Sequence, residues 1–422
     1  MSVAVGCGTL ITRHSSLPLS PLFLIFLTVF IDMVGFGIII PVLPLYAQHF
    51  HATPLQIGWL TGIYSGMQII FTPILGRLSD RVGRRPVLIV SLAGTALGFL
   101  VMGWATSLAL LFVARIIDGI SGGNISTAQA YIADISTPEN RSRSMGIIGA
   151  AFGLGFTFGP MIGGVMSHIS YSAPFYFAAG LAAVNVVLLY FILPESLSAE
   201  HRAHPKKRTR LADVFQHGNS RMFGTIVATY FFSITGFAIM TTLFALFTEK
   251  QFGFDARKTG YLFGFIGIIS VILQGGLIGR LVKMFGETAL ARTGLFLLAA
   301  ALALLPFAAT IPMLLAACAA LAIANGLVNP TLNGLASQMI DRSWQGRALG
   351  LMQSAGSVGR LIGPLLGGWL LMFDLDKPLS FYARTPFLAG AAILLVAFAL
   401  ALSVRKPVGD KLPTAVPVEA DV

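Results

Sequence analysis

A chain of 422 residues that is 55% hydrophobic and only 11% charged, with a mean hydropathy of +0.81, carries too little charge to cover itself in water, which excludes a soluble globular protein. A net charge of +11 would suit a nucleic-acid binder, but the basic residues sit in short clusters between apolar runs, as they do in loops at a membrane surface, and nucleic acid drops out as a partner. The two cysteines, Cys7 in the N-terminal tail and Cys318 in an apolar run, make neither a disulfide framework nor a metal site, and no metal or other cofactor is expected.

Twelve apolar runs follow in chain order, at 20–44, 57–75, 87–106, 108–132, 144–167, 173–193, 221–247, 259–281, 289–308, 312–336, 348–372 and 386–404. Each is close to the length needed to cross a bilayer, about 20 residues. The first lacks the basic start, short apolar stretch and small-residue exit of a cleaved signal, so it reads as a retained helix. Between the second and third runs, Gly76, Arg77, Asp80, Arg81, Gly83, Arg84 and Arg85 crowd into what reads as a very short loop. The expected fold is an all-α polytopic membrane protein of twelve transmembrane helices in two pseudo-symmetric six-helix bundles. Its parts are a first bundle at 1–193, a basic linker at 194–220, a second bundle at 221–404 and a tail at 405–422.

Lys and Arg set the orientation. Twenty-one fall on the side of Arg77, Arg84, Lys206 and Arg347, and five on the other, at Lys250, Arg257, Lys258, Lys377 and Arg384. The bias puts both termini and the linker in the cytoplasm. A bacterial inner membrane is the expected location.

The chain also repeats itself. Gly155, Gly159, Pro160, Gly163 and Gly164 in the fifth run return as Gly359, Gly363, Pro364, Gly367 and Gly368 in the eleventh, 204 residues later. Gly76, Arg77, Leu78 and Gly83 return more weakly as Gly279, Arg280, Leu281 and Gly286, with Lys283 in place of Asp80. Glycine at this density lets helix backbones approach closely in lipid. A second reading is that the fifth and eleventh helices pivot against neighbours of the opposite half.

Four ionisable residues lie inside runs: Asp32, Arg115, Asp118 and Arg360. Asp32 and Arg360 lie roughly 18 Å from one end of their helices, and Arg115 and Asp118 about 10 and 15 Å from an end of theirs, so all sit near the middle of a layer about 30 Å thick. A charge there costs about 2.5–3.5 kcal/mol on insertion scales, so each needs a partner or a wet cavity. Asp32 is suited to load and unload protons, or else is permanently paired with Arg115. Asp118, three residues after Arg115, can pair with it on one helix face. Arg360 is open to an anionic substrate, to carbonyls, or to Asp32 across the halves. Gln68, Asn124, Gln129, Asn185, Tyr230, Gln274, Asn325, Asn329, Asn333 and Gln353 can line a cavity or bond between helices.

The run Gly76-x3-Asp80-Arg81-x-Gly83-Arg84-Arg85 resembles the loop between the second and third helices of the major facilitator superfamily. Arg115-x3-Gly119, Ala130 to Asp134, Gly159-Pro160-x2-Gly163-Gly164, Asp32-x2-Gly35 with Pro41 and Pro44, and Leu193-Pro194-Glu195-Ser196 are similar to the drug:proton antiporter group, above all tetracycline efflux proteins. The resemblance implies that the fifth-helix glycines are an antiporter motif and that Asp80 meets the start of the eleventh helix near Arg347 while Arg84 pairs with Asp134. It implies that these contacts form a latch which holds the cytoplasmic side closed. Departures are plain: the tetracycline proteins' intramembrane acid of the third helix is replaced by Gly98, their eighth-helix histidine by Ser270, and their ninth-helix acid by the apolar stretch around Leu298.

A non-enzymatic, proton-coupled exporter of drug-like amphipathic molecules is the expected function, powered by the proton gradient and needing a substrate, protons and the bilayer but no obligatory protein partner. Within transport the alternatives are a proton-coupled importer or a sugar or metabolite exporter. Outside it they are a membrane-embedded enzyme or a non-transporting sensor, against which stand the lack of a catalytic constellation inside the runs and of an appended soluble domain.

Overall fold

The computed structural model describes residues 20–137, 140–197, 220–340 and 344–404. Among them no strand occurs. The first half holds α1 (Pro21–His49), α2 (Pro54–Val82), α3 (Arg84–Gly103), α4 (Leu108–Ser121), α5 (Asn124–Ile135), α6 (Arg141–Ser167) and α7 (Ala173–Ile192). The second holds α8 (Ser220–Phe252), α9 (Ala256–Ile272), α10 (Ile278–Phe285), α11 (Glu287–Leu304), α12 (Ile311–Gln338), α13 (Gln345–Leu371) and α14 (Arg384–Ser403). Since α4 and α5 share the fourth predicted span, and α9 and α10 the eighth, twelve spans stand in two matching sets. Most of the linker and the tail lies outside the described residues, as does Cys7.

Local chemistry sets the helix starts. Ser20, Thr53, Ser107, Asp255 and Thr310 each accept a hydrogen bond from a backbone N–H of the first turn, and Thr53 with Gln56 forms a full capping box. Among the described residues, eleven spans are long and apolar enough to cross a membrane. The exception, α2, has 29 residues but is interrupted by Gln56, Thr61, Ser65, Gln68 and Thr72. Ser65 is buried and Gln68 bonds across to Gly122, so part of α2's polarity is turned toward protein.

Three features depart from the sequence reading. The arginine motif is no loop: α2 runs on through Val82, Gly83 alone breaks the helix with φ +112°, and Arg84 already opens α3. The fourth span is broken at Gly122–Gly123. The eighth passes through a π-helical turn, Leu273–Leu277, between α9 and α10.

The halves meet along α2–α13, α6–α9 and α1–α8. A Cβ at Gly58 or Gly62 would strike the backbone of Pro364 or Leu361, one at Gly368 that of Pro54, and one at Gly164 or Gly260 would strike the other helix's backbone. These contacts lie toward the end opposite the arginine motif. Toward the motif end, Gly146, Gly149 and Gly153 of α6 and Gly275, Gly276 and Gly279 around α10 have open space where a Cβ would stand. The halves are therefore clamped at one end, while α6 and the eighth span part toward the other.

Candidate functional site

In the first half, Arg115 of α4 is 1% exposed, so its charge has to be met inside the protein. Its Nη1 donates to Asp118 Oδ2 at 2.9 Å, its Nε to Leu60 O at 3.2 Å and its Nη2 to Thr61 O at 3.5 Å. The guanidinium also lies 4.5 Å from the ring centre of Tyr64, a favourable face for a cation. Gly119 makes room for this approach, since a Cβ there would strike Tyr64 and Met67. Arg115 and Asp118 thus clamp α4 to α2.

Asp32 is left out of that clamp. It makes no ion pair among the described residues, so permanent pairing with Arg115 is not what the structure holds. Asn124 lies beside it, and the charge of Asp118 reaches it. Asp32, Phe36, Tyr64, Thr95, Phe99, Asp118 and Gly122 line a small cavity. Two carboxyl groups, one locked by an arginine and one unpaired, share this space.

Gln68 is structural. Its Nε2 donates to Gly122 O and to Tyr64 Oη, each at 2.9 Å, and so partners a carbonyl at the break between α4 and α5. On the other side of the central interface, Arg360 Nη2 donates to Ser357 Oγ at 3.0 Å. Tyr230 has Gln353 and Arg360 as polar neighbours, and the charge of Arg360 acts on Tyr64 together with those of Asp118, Asp32 and Arg115. Tyr64 itself touches Arg115, Gln68 and Phe36 of its own half. Asn325, Asn329 and Asn333 form a separate ladder along α12, with Asn329 Nδ2 on Asn325 Oδ1 and Asn333 Nδ2 on Asn329 O, both at 2.9 Å. Gln129 on α5, Gln274 in the π-turn and Gln353 on α13 are exposed.

At the motif end, Arg84 Nε donates to Asp134 Oδ2 at 3.1 Å, and its Nη1 to Asp80 Oδ1 at 2.6 Å and Ser79 Oγ at 2.7 Å. The expected meeting of Asp80 with the start of α13 borders on residues 341–343, outside the described ones. Arg81 is exposed and Gly76 buried. Glu195 was not singled out from the sequence for any role here. Its carboxylate accepts from the backbone N–H groups of Arg84 at 2.9 Å and Arg85 at 3.2 Å, a negative cap on the positive end of α3. A Cβ at Gly83 would strike that carboxylate, which explains the glycine as firmly as its positive φ does. Ser196 Oγ adds a bond to Asp134 at 3.1 Å. Arg85 donates to Tyr190 O at the end of α7.

The glycine motif divides its contacts. Gly155, Gly159 and Gly163 pack on Met33 to Ile38 of α1, within their own half, and only Gly164 meets the opposite half, at α9. The second copy does the same: Gly359, Gly363 and Gly367 pack on α8, and Gly368 on α2. Contact with the opposite half, which the pivot reading requires, is thus made by the last glycine of each copy, while the other three pack within a bundle.

The residues missed by sequence reasoning are Tyr64, Thr95 and Glu195. A tyrosine in an apolar helix and a glutamate at a helix exit were visible signals, whereas nothing local marked Thr95.

Twelve spans in two repeated halves, meeting at a polar centre and at paired glycine crossings, define a membrane transporter. The sequence model of the Major Facilitator Superfamily matches residues 25–361 and 275–420, and the chain belongs to that superfamily. It is 31% identical over 357 residues to the class H tetracycline resistance protein of Pasteurella multocida, covering 83% of this chain and 89% of that one. To multidrug resistance protein 2 of Bacillus subtilis (strain 168) it is 31% identical over 400 residues, covering 92% and 96%. Among solved structures, the human organic anion transporter TETRAN superposes with a TM-score of 0.68 at 26% identity, covering 90% of this chain and 98% of that one. An inward-facing bacterial homologue of the lysosomal transporter Spinster reaches 0.75 at 17% identity, covering 90% and 95%, a likeness of fold.

Proposed function

We propose that this protein is a proton-coupled antiporter that exports drug-like, amphipathic small molecules from a bacterial cytoplasm, with the arginine-motif end and both termini inside. The observation that carries the reading is Asp32, an unpaired carboxyl in the middle of α1 facing a small cavity that it shares with Asp118. Proton binding there changes the charge at the central interface, and a transporter whose two end states differ in that charge couples proton entry to substrate exit. The clamped outer glycines and the parted inner ends fit the state that receives substrate from the cytoplasm. Relatives named for tetracycline and multidrug resistance support an efflux role.

The substrate class follows from charge. Asp118 is neutralised by Arg115, Arg360 stands at the interface, and Gly98 and the apolar surroundings of Leu298 offer no acid. Neutral, zwitterionic and weakly anionic amphipathic compounds are the preferred cargo, with Arg360 as the contact for an anionic group. Tetracycline itself is not the expected substrate. The test is substrate-driven proton movement in inverted vesicles across a chemically broad compound panel. Compound movement that leaves the proton gradient untouched overturns the coupling, and resistance confined to lipophilic cations overturns the substrate class.

A further inference from the structure

Among the described residues of the first half, away from Arg85 at the motif end, four buried side-chain oxygens have no hydrogen-bond partner: Ser91 Oγ and Thr95 Oγ1 on α3, Thr127 Oγ1 on α5 and Asn185 Oδ1 on α7, while the amide of Asn124, also on α5, stands against Asp32. Their residues are all more than nine-tenths buried. An unsatisfied buried group costs about 1–3 kcal/mol, so such atoms are normally held by protein or by ordered water. Those on α3 and α5 are not scattered. Ser91 and Thr95 stand one helical turn apart on one face of α3, and α3 faces α4 where Gly94 meets Ser121 and Gly98 meets Asp118. Because α3 and the α4–α5 pair run in opposite directions, Thr95 lies near the level of Asp118, and Ser91 lies deeper, toward Asn124 and Thr127. The seam opens at one end on the cavity of Asp32, Tyr64, Thr95 and Asp118. At the other end it stops at the apolar cluster of Leu88, Ala128, Tyr131 and Ile132.

Resting on the antiport reading, we propose that this seam binds water as a proton relay within the first half, with Thr95 and Asn124 as positioning residues that hold the waters between Asp32 and Asp118. The transfer balances without any other reactant. The Asp32 carboxylic acid gives its proton to a bound water, and that water gives a proton to the free Oδ1 of Asp118, so one O–H bond breaks for each that forms. Arg115 keeps its bonds to Leu60 O and Thr61 O and its place on Tyr64 when Asp118 becomes neutral.

The test uses protons alone on the purified full chain in lipid. After a downward pH jump, time-resolved infrared spectroscopy follows the two carboxyl bands, assigned by their loss in Asp32→Asn and Asp118→Asn. Thr95→Val keeps the side-chain shape and removes the hydroxyl; it is expected to slow the protonation of Asp118 roughly tenfold or more, while Thr95→Ser restores the wild-type rate. Asn124→Leu and Asn124→Ser form a second pair with the same expectation, should Thr95→Val fail to fold. Wild-type kinetics in Thr95→Val, or a Thr95→Ser variant as slow as Thr95→Val, overturns the relay. If neither carboxyl changes protonation in the wild type, the antiport reading itself fails, and the relay with it.

Discussion

Gln338 Nε2 donates to Glu287 Oε2 at 2.8 Å, and this bond stands one repeat after the one between Arg84 and Asp134 at 3.1 Å. Glu287, like Arg84, is the first residue of its helix, and each follows a glycine of positive φ, Gly286 at +78° and Gly83 at +112°. The repeat keeps the geometry and exchanges the charges, with Lys283, Glu287 and Gln338 standing where Asp80, Arg84 and Asp134 stood. Arg292 completes the parallel by donating to Ala401 O, Leu402 O and Val404 O at the end of α14, as Arg85 does at the end of α7. Among the described residues, ionic bonding at the motif end is thus concentrated in the first half.

Asp32→Asn is expected to abolish net proton-coupled export while leaving substrate counterflow at equal pH intact, because it removes the proposed proton carrier and little else. Vesicles carrying the variant and still acidifying or alkalinising in step with substrate would return Asp32 to a purely structural role.

Arg115→Leu is expected to lose about 3–5 kcal/mol of stability, since it strands Asp118 as a buried, unpaired carboxylate. The double variant with Asp118→Asn should recover a good part of that loss. Thermal unfolding in detergent measures both, and equal loss in single and double variants would show that packing against α2, not charge, is what Arg115 supplies.

Gly83→Ala and Glu195→Gln probe the cap of α3. The first forces a Cβ into the Glu195 carboxylate at a left-handed position, and the second weakens two charge-assisted bonds of about 1.5–3 kcal/mol each. Both are expected to loosen the motif end, read as faster amide exchange at the start of α3. Exchange at the wild-type rate in both would make the cap dispensable.

Gly164→Val and Gly368→Val drive side chains into the backbone of Ala256 and of Pro54, an overpacking cost of about 1–3 kcal/mol borne only by the clamped state. Distances between spin labels across the α6–α9 and α2–α13 crossings should lengthen. Gly146→Ala and Gly149→Ala, where open space stands, serve as controls that should change nothing.

Gln68→Leu is expected to cost about 1–3 kcal/mol by leaving Gly122 O without its side-chain partner. Unchanged unfolding of this variant would mean that the break in the fourth span is satisfied in another way.

Much of the architecture is readable from the chain, because apolar run length and the 204-residue echo are local or periodic signals. The pairing of Arg115 with Asp118 is legible for the same reason, lying within one helical turn. What escapes is set by contacts between distant segments. Nothing near Glu195 says that it caps a helix beginning at Arg84, and nothing near Gln68 says that a carbonyl of α4 needs it. Doubled glycines are ambiguous: Gly163–Gly164 continues a helix, Gly122–Gly123 breaks one, and Gly275–Gly276 sits in a π-turn. Which outcome occurs depends on the neighbours, and those are fixed only in the folded bundle.

The break at Gly122–Gly123 turns the fourth span into two rods with different loyalties. The upper rod is riveted to α2 through Arg115, and the lower one to α3 through Asp134 and Arg84. Asn124, the first residue of the lower rod, sits beside Asp32. Any flexing of this elbow by the ionic cluster of Arg84 and Asp134 therefore displaces an amide beside Asp32, so the chain carries a mechanical lever between its arginine motif and its intramembrane acid.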